Sequence, residues 1–200
     1  MDAKTQKSEM TRAAIVGAAL DLASAQGLEA ITLQAVADTL GLSKSGVFSR
    51  IGSREALQKA VIEEFGRRFV VAVFVPAMQT PKGLPRLNDI VQRWIVRTRD
   101  VDAHKGCIYS AGAFELDDCE GELRDVLFNE VTRWRATLRR TVIQCIEAGH
   151  LKADTDASQL VGELNALILG SLHDARFLRD PRAAERAQAT WQRLMKSYQT

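Results

Sequence analysis

A short segment near the N-terminus combines cations at spacings that could contact phosphate groups. Between Gly41 and Arg54 the sequence has three cations, Lys44, Arg50 and Arg54, and no acidic residue. The whole chain of 200 residues is nearly balanced, with 27 Lys and Arg against 25 Asp and Glu. A local excess of this kind suits the row of phosphates of a duplex, whereas the bulk charge alone indicates no nucleic-acid partner.

Two short helices with a glycine between them would position these side chains. The apolar residues that recur at helical spacing are Leu33, Val36, Ala37 and Leu40. Ala37 falls where two crossing helices leave room only for a small side chain, and Gly41 falls where the turn needs a positive φ. Val47, six residues later, would pack the second helix onto the first. The spacing predicts a helix-turn-helix.

A small, polar or basic face of the second helix would point outward when Val47 points inward. Lys44 and Ser45 would reach base edges, whereas Arg50, Arg54 and Thr32 are better placed for phosphates. Phe48 would pack on a thymine methyl or lie along the sugar–phosphate rim. The residues expected to contact DNA are Thr32, Ser43, Lys44, Ser45, Gly46, Phe48, Ser49, Arg50 and Arg54. The alternative for Lys44–Arg54 is an ordinary solvated helix end.

Residues from about Thr11 to Ala60 resemble the N-terminal domain of TetR-family bacterial transcriptional repressors. The matching positions are Thr32, Val36, Ala37, Gly41, Leu42, Ser43, Lys44, Val47, Phe48, Ser53, Arg54, Glu55 and Leu57. The family usually has a phosphate-contacting tyrosine at Phe48, a histidine at Arg50 and a phenylalanine at Ile51. The glycine that usually follows the lysine comes one place later here, at Gly46. The resemblance therefore implies the mode of DNA binding and not the operator sequence.

Helical periodicity continues along the chain and predicts an all-α protein of about nine helices. The fourth helix is expected from Ser53 to Val75, although Phe69–Val75 alone would read as a buried strand. After a break at Thr80–Pro85, the further helices are predicted around Arg86–Thr98, Lys105–Leu116 and Glu122–Ala148, then from Asp154–Asp156 to Arg179, and finally to about Tyr198. The predicted division is residues 1–52 as the DNA-binding domain and residues 53–200 as the ligand-binding and dimerisation domain.

The resemblance weakens beyond Phe65, but it implies a C-terminal pocket for a small molecule and a dimer formed by the last two helices. Residues that could line the pocket are Trp94, Tyr109, Phe114, Phe128, Trp134 and His173. For each aromatic residue plain core packing is the alternative, and for His173 it is an ordinary structural role. The residues expected at the dimer contact are Leu164, Leu167, Ile168, Ser171, Leu172 and Ala175, with Gly170 allowing close helix approach.

Several function classes are disfavoured by the sequence. It has no G-x-S-x-G, H-E-x-x-H or G-x-G-x-x-G motif, so we expect no enzyme, cofactor or metal site. The cysteines Cys107, Cys119 and Cys145 lack a ligand spacing, and so does His104 near Cys107. Glu115, Asp117 and Asp118 form a carboxylate cluster of a sort that a cation could use, and a solvated loop explains them equally well. A polar start and no apolar run longer than Phe69–Met78 predict a cytoplasmic protein without a membrane span.

These features together predict a homodimeric DNA-binding regulator. We expect each protomer to insert Lys44–Arg50 into a major groove of a palindromic operator, and a small-molecule effector to release the repressor. A constitutive DNA-binding factor without an effector and an activator are the alternatives.

Overall fold

The computed structural model describes residues 3–100 and 106–199, and every regular element in these residues is helical. The nine helices are α1 (Ala3–Gln26), α2 (Leu33–Leu40), α3 (Lys44–Ile51), α4 (Arg54–Phe69), α5 (Leu84–Asp100), α6 (Ile108–Glu115), α7 (Glu122–Glu147), α8 (Ala157–Arg176) and α9 (Ala183–Tyr198). A 3-10 turn, Leu28–Ala30, follows α1. The all-α prediction is confirmed, whereas Lys105 and His104, which entered the sequence predictions, lie outside the described residues.

Polar side chains and glycines set the helix ends. Asp156 accepts hydrogen bonds from the backbone N–H groups of Ser158 (2.7 Å) and Gln159 (3.1 Å), which caps the start of α8. Gly149, with φ +68°, comes two residues after the end of α7, in a conformation that glycine adopts without steric cost. Asp156 lies in the segment Asp154–Asp156 at which the sequence predicts the start of this helix.

The segment that resembled a strand is a wide helical turn. Residues Val70–Phe74 form a π-helical turn that continues α4, and the backbone N–H of Val75 donates to the carbonyl of Val70. A short helical turn, Val75–Ala77, follows it. The helix therefore does extend to Val75 and beyond, but with one turn of altered geometry, and such turns are frequent at functional sites.

The described residues pack as two compact units. The first comprises residues 3–68 and 106–131, and the second comprises residues 69–100 and 132–199. The boundaries of these packing units therefore differ from the predicted boundary at residue 52. That boundary divides the chain by function, and it stays a prediction.

Within the first unit, α1 packs against both α2 and α3. Its buried side chains include Ile15 and Ala19, which have no exposed surface. The segment after residue 105 belongs to the same unit, since the backbone N–H of Gly106 donates to the carbonyl of Ser24 (2.6 Å). This unit holds all the residues expected to contact DNA.

Within the second unit, α8 and α9 pack side by side and both contact α5. The apolar stripe of α8 is buried at Leu160, Leu164 and Ile168. Trp191 of α9 is also buried, and its indole N–H donates to the side-chain oxygen of Asn88 on α5 (2.9 Å). This unit holds α5, α8 and α9, which belong to the predicted regulatory domain.

Candidate nucleic-acid interface

The corner between α2 and α3 has the packing that the sequence spacing predicts. Ala37 and Val47 are both completely buried. Gly41 ends α2 in the left-handed conformation, with φ +63° and ψ +32°. Because a side chain at that φ is strained, glycine suits the turn. The two helices therefore form a helix-turn-helix with Val47 as the inward anchor of α3.

Hydroxyl groups begin three successive helices in this region. Thr32 accepts from the backbone N–H of Ala35 at the start of α2 (3.0 Å). Ser43 accepts from Gly46 at the start of α3, and Ser53 accepts from Ala56 at the start of α4, both at 3.0 Å. These caps fix the helix ends, and the Ser43 hydroxyl also shares a hydrogen bond with the Ser45 hydroxyl (3.1 Å).

The outward face of α3 carries the side chains that the helical rotation predicts. Ser45, Ser49 and Lys44 are exposed, and Phe48 is 58% exposed. Val47 is the one buried residue of α3, so most of the surface of this helix faces solvent. Large apolar residues exposed singly are ordinary on protein surfaces, so Phe48 marks a contact only together with its polar and cationic neighbours.

The carbonyl of Gly46 collects the polar side chains of α3. It accepts from the Ser49 hydroxyl (3.0 Å) and from Nη1 of Arg50 (2.8 Å). A Cβ at position 46 would lie 3.0 Å from the Ser43 hydroxyl oxygen, so glycine leaves room for the cap of α3. This contact gives a physical reason for the glycine at position 46.

Arg54 has internal partners that sequence reasoning missed. Its Nε donates to the carbonyl of Ile31 (2.7 Å), and its Nη2 donates to the carbonyl of Glu29 (2.6 Å) and to the Glu29 carboxylate (2.8 Å). The guanidinium therefore ties the start of α4 to the turn before α2. The expected contact of Arg54 with a phosphate stays a prediction. Such a contact would use only the guanidinium N–H groups that are not engaged in these bonds.

Two of the predicted pocket residues lie in a buried aromatic cluster of the second unit. Trp94 and Trp134 pack edge to face at a centroid distance of 5.4 Å. Phe69 lies 4.8 Å and Phe74 lies 6.4 Å from Trp134, also edge to face. We call Phe69, Phe74, Trp94 and Trp134 the aromatic cluster.

The aromatic cluster carries one polar group without a partner. Nε1 of Trp134 is buried and makes no hydrogen bond within the described residues. The guanidinium of Arg97 lies 5.9 Å from the centre of the Phe69 ring. A buried N–H without a partner costs about 1–3 kcal/mol, so a group that accepts from it would be favoured there.

The other predicted pocket residues lie apart from this cluster. Phe114 is 71% exposed and Phe128 is 56% exposed, so neither lines an enclosed cavity within its own unit. Tyr109 belongs to the first unit, where its hydroxyl donates to Glu130 (2.9 Å). His173 is exposed, with Nδ1 3.4 Å from the Asp174 carboxylate. We therefore restrict the candidate pocket to the two tryptophans and the phenylalanines beside them.

The residues of the predicted dimer contact, which stays a prediction, differ in their burial within this chain. Leu164, Ile168 and Ser171 are buried inside the unit, and the Ser171 hydroxyl lies 3.2 Å from that of Thr98. A residue buried in this way has no surface left for a partner. Leu167, Leu172 and Ala175, which are only partly buried, stay predictions. The exposed side of α8 instead shows the small or apolar residues Ala166, Leu169 and Gly170 together with His173, and Gly162 on the same helix is partly exposed.

Other classes of site receive no support in the part of the chain that the structure describes. It contains no group of three or more His, Cys, Asp or Glu side chains arranged to hold a metal ion. It also contains no helix that is long and apolar enough to cross a bilayer.

A helix-turn-helix with an exposed polar and cationic second helix defines the class of the protein, a DNA-binding transcriptional regulator. Residues 15–61 match the family described as bacterial regulatory proteins, tetR family. Residues 83–191 match the tetracyclin repressor-like C-terminal domain. Because this second match spans more than half of the 200 residues, the chain belongs to the TetR family.

Solved structures have the same fold at low sequence identity. A TetR-family transcriptional regulator from Cytophaga hutchinsonii is 19% identical over 97% of each chain, with a TM-score of 0.82. A TetR transcriptional regulator from Chloroflexus aurantiacus is 23% identical over 92% of this chain and 93% of that chain, with a TM-score of 0.81. The ketosteroid transcriptional regulator KstR2 of Mycobacterium tuberculosis is 16% identical over 95% of each chain, with a TM-score of 0.69. No curated protein sequence matches the chain.

Proposed function

We propose that the protein is a homodimeric, cytoplasmic repressor that leaves a palindromic operator when a small molecule binds its C-terminal domain. The observation that carries the DNA-binding part is the division of α3 into a completely buried Val47 and an outward face with Ser45, Phe48 and Ser49. Membership of the TetR family supports the effector and the repressor role. Two-fold symmetry would place the half-site centres about 34–36 Å apart in the simplest case.

The DNA contact would begin at the N-terminal end of α3. Lys44 and Ser45 are the first two residues of α3, where a recognition helix reaches base edges. Arg50 would exchange its bond to the Gly46 carbonyl for a phosphate oxygen, and the bond in which donor and acceptor are both ionised is the stronger of the two. Arg50 then contributes affinity and salt dependence, while Lys44 also contributes base preference.

The DNA-binding test is a selection of duplexes from random sequence, followed by footprinting of the selected site. We expect protection of a palindrome, and we expect Arg50→Ala to reduce the slope of log affinity against log salt by about 1 per protomer. Arg140→Ala is the matched control, because Arg140 is an exposed arginine on α7 with the same charge. Equal slopes for the wild type and Arg50→Ala would contradict the assignment of α3 as the DNA-contacting helix.

The aromatic cluster supports a flat aromatic effector that carries a hydrogen-bond acceptor. In an ordinary α-helix, residues five apart point about 140° away from each other, so Phe69 and Phe74 would diverge. The π-helical turn between them brings both rings to Trp134. Aromatic rings attract a flat ligand, and the buried Trp134 N–H would bond its acceptor.

The effector test uses two ligands of nearly equal shape, 2-acetylnaphthalene and 2-isopropenylnaphthalene, in which a CH2 group replaces the carbonyl oxygen, measured by calorimetry without DNA. We expect the ketone to bind about tenfold more tightly, because only its carbonyl accepts from the Trp134 N–H. Trp134→Phe should abolish that preference while both compounds still bind. Equal affinity of the wild type for the two compounds would exclude Trp134 as the recognition group and leave the DNA-binding proposal untouched.

The exposed side of α8 supports the dimer contact. Gly162, Ala166 and Gly170 recur every four residues, and a Cβ added at either glycine would meet no atom within 4 Å. Small residues at this spacing let two helices approach closely. We expect Ala166→Arg to convert the dimer to a monomer in sedimentation at micromolar concentration. Ala136→Arg, the same change at an exposed alanine of α7, should leave the dimer intact.

A further inference from the structure

Glu115, the last residue of α6, holds the turn between α1 and α2. Its Oε2 accepts from the backbone N–H groups of Leu28 (2.8 Å) and Glu29 (3.2 Å). These amides begin the 3-10 turn Leu28–Ala30, where the backbone has no earlier helical carbonyl to bond. One carboxylate oxygen thus replaces two missing backbone acceptors. Nothing in the sequence pattern distinguished this residue from the exposed Asp117 and Asp118 that follow it.

The contact between α6 and this turn leaves no space for additional atoms on either side. Gly27 has φ +91°, and a Cβ there would lie 2.7 Å from Oε1 of Glu115. Gly112, one helical turn before Glu115, leaves room for Leu28, since a Cβ at position 112 would lie 2.8 Å from Leu28 Cδ1. Two glycines and a buried leucine therefore fix the carboxylate in register with the two N–H groups.

The opposite side of the same turn holds the start of α4. The carbonyl of Leu28 accepts from the side-chain amide of Gln58, which is buried (2.9 Å). The carbonyls of Glu29 and Ile31 accept from Arg54 at 2.6 Å and 2.7 Å. The turn thus bonds α6 through the N–H groups of Leu28 and Glu29 and bonds α4 through the carbonyls of Leu28, Glu29 and Ile31. Arg54 comes three residues after Ile51, the last residue of α3.

We propose that Glu115 is a positioning residue, whose carboxylate sets the orientation of α3 through the Leu28–Ala30 turn and Arg54. A shift of α6 would break the two hydrogen bonds between Glu115 and the turn. The carbonyls that accept from Arg54 would then become mobile, and the affinity of α3 for the operator would fall. The inference rests on the proposed DNA-binding function and adds a route by which α6 could affect the DNA contact of α3. It assigns a role to a carboxylate that contacts neither DNA nor effector.

Operator affinity of three variants tests the role of the carboxylate. We expect Glu115→Ala to weaken operator binding at least tenfold, and Glu115→Gln to recover part of the loss because its amide oxygen still accepts. Glu120→Gln is the matched control, since Glu120 is exposed and five residues further along. Removing its negative charge should not weaken binding. Equal or tighter binding by Glu115→Ala, relative to this control, would overturn the proposal.

A double-mutant cycle with Arg54→Lys tests whether Glu115 acts through Arg54. Lysine keeps the positive charge but cannot make the forked bonds to the carbonyls of Glu29 and Ile31. If the turn transmits the effect, Glu115→Ala should weaken operator binding at least tenfold in the wild type and less than threefold in the Arg54→Lys background. An equal loss of operator affinity in both backgrounds would overturn the proposed route through Arg54, because independent structural defects have additive effects on the binding free energy.

Hydrogen exchange supplies a readout that needs no DNA. Glu115→Ala should speed amide exchange at Leu28 and Glu29 and in α3, while the buried centre of α1 around Ile15 and Ala19 keeps its protection. Unchanged exchange in α3 would overturn the inference even if the wild type binds its operator tightly. A wild type that binds no duplex would instead overturn the proposed function, so the two failures are distinguishable.

Discussion

Val47 and Phe48 are adjacent residues of α3 with opposite expected effects on stability and DNA binding. Val47 is completely buried, whereas Phe48 is 58% exposed. Val47→Ala removes two methyl-sized groups, each worth about 0.8 kcal/mol of transfer free energy. The cavity left behind raises the expected loss in the free energy of unfolding to about 2–3 kcal/mol.

The two substitutions should have different effects on thermal stability and on operator binding. A loss of about 2–3 kcal/mol lowers the melting temperature of a chain of this size by roughly 4–12 °C. Phe48→Ala should change stability by less than about 0.5 kcal/mol, because no core contact is lost. It should weaken operator binding several-fold through its lost apolar contact with the DNA. Calorimetric melting and a fluorescence-anisotropy titration measure the two quantities. A Phe48→Ala variant that melts as early as Val47→Ala, or that binds the operator like the wild type, would refute the reasoning.

Two further predictions concern titratable groups. The guanidinium of Arg67, helped by that of Arg68, lowers the pKa of Glu64 to about 2. Since this carboxylate stabilises the fold only when ionised, Glu64→Gln should lower the melting temperature at pH 7, and the difference should vanish as the pH falls from about 4.5 toward 2. A difference that stays constant with pH would contradict this ion pair. Burial raises the pKa of the Cys145 thiol to about 12, so iodoacetamide at pH 8 should modify the exposed Cys119 in the native protein and Cys145 only after unfolding, as read by mass spectrometry.

The packing of α3 against α2 was predictable from the sequence, because the residues that determine it lie close together in the chain. Ala37, Gly41 and Val47 lie within eleven residues, and helical rotation alone fixes which of them face inward. Ser43 and Ser53 were predictable as caps for the same reason, since a cap bonds an amide three residues ahead. The outward exposure of Ser45 and Phe48 then follows from the inward position of Val47.

The role of Glu115 could not be predicted, because its partners are distant in sequence. The amides of Leu28 and Glu29 precede it by 87 and 86 residues. The acceptors of Arg54 lie 23 and 25 residues before it, so a cation following a recognition helix was interpreted as a phosphate ligand. Tertiary packing decides which neighbour a charged side chain meets, and periodicity carries no such information.

The π-helical turn and the register of α8 were also beyond the pattern. The apolar, β-branched residues of Val70–Phe74 fit a strand or an α-helix equally well. Neither alternative contains the backbone hydrogen bonds between residues five apart that define the π-helical turn. In α8, apolar residues lie on more than one face, so Leu164 and Ile168 could not be told from the exposed Leu169 by spacing alone. One signal was available, since Gly162, Ala166 and Gly170 share a face of small residues.

A tethered DNA cleavage reagent at position 49 tests the placement of α3 in the major groove most directly. Serines would replace Cys107 and Cys119, the buried Cys145 would remain, and Ser49→Cys would carry an iron chelate. The account predicts cleavage in two zones of the operator, related by two-fold symmetry and about 10–10.5 base pairs apart in the simplest case. Cleavage no different from that of the same reagent attached through Ala136→Cys on α7 would contradict it.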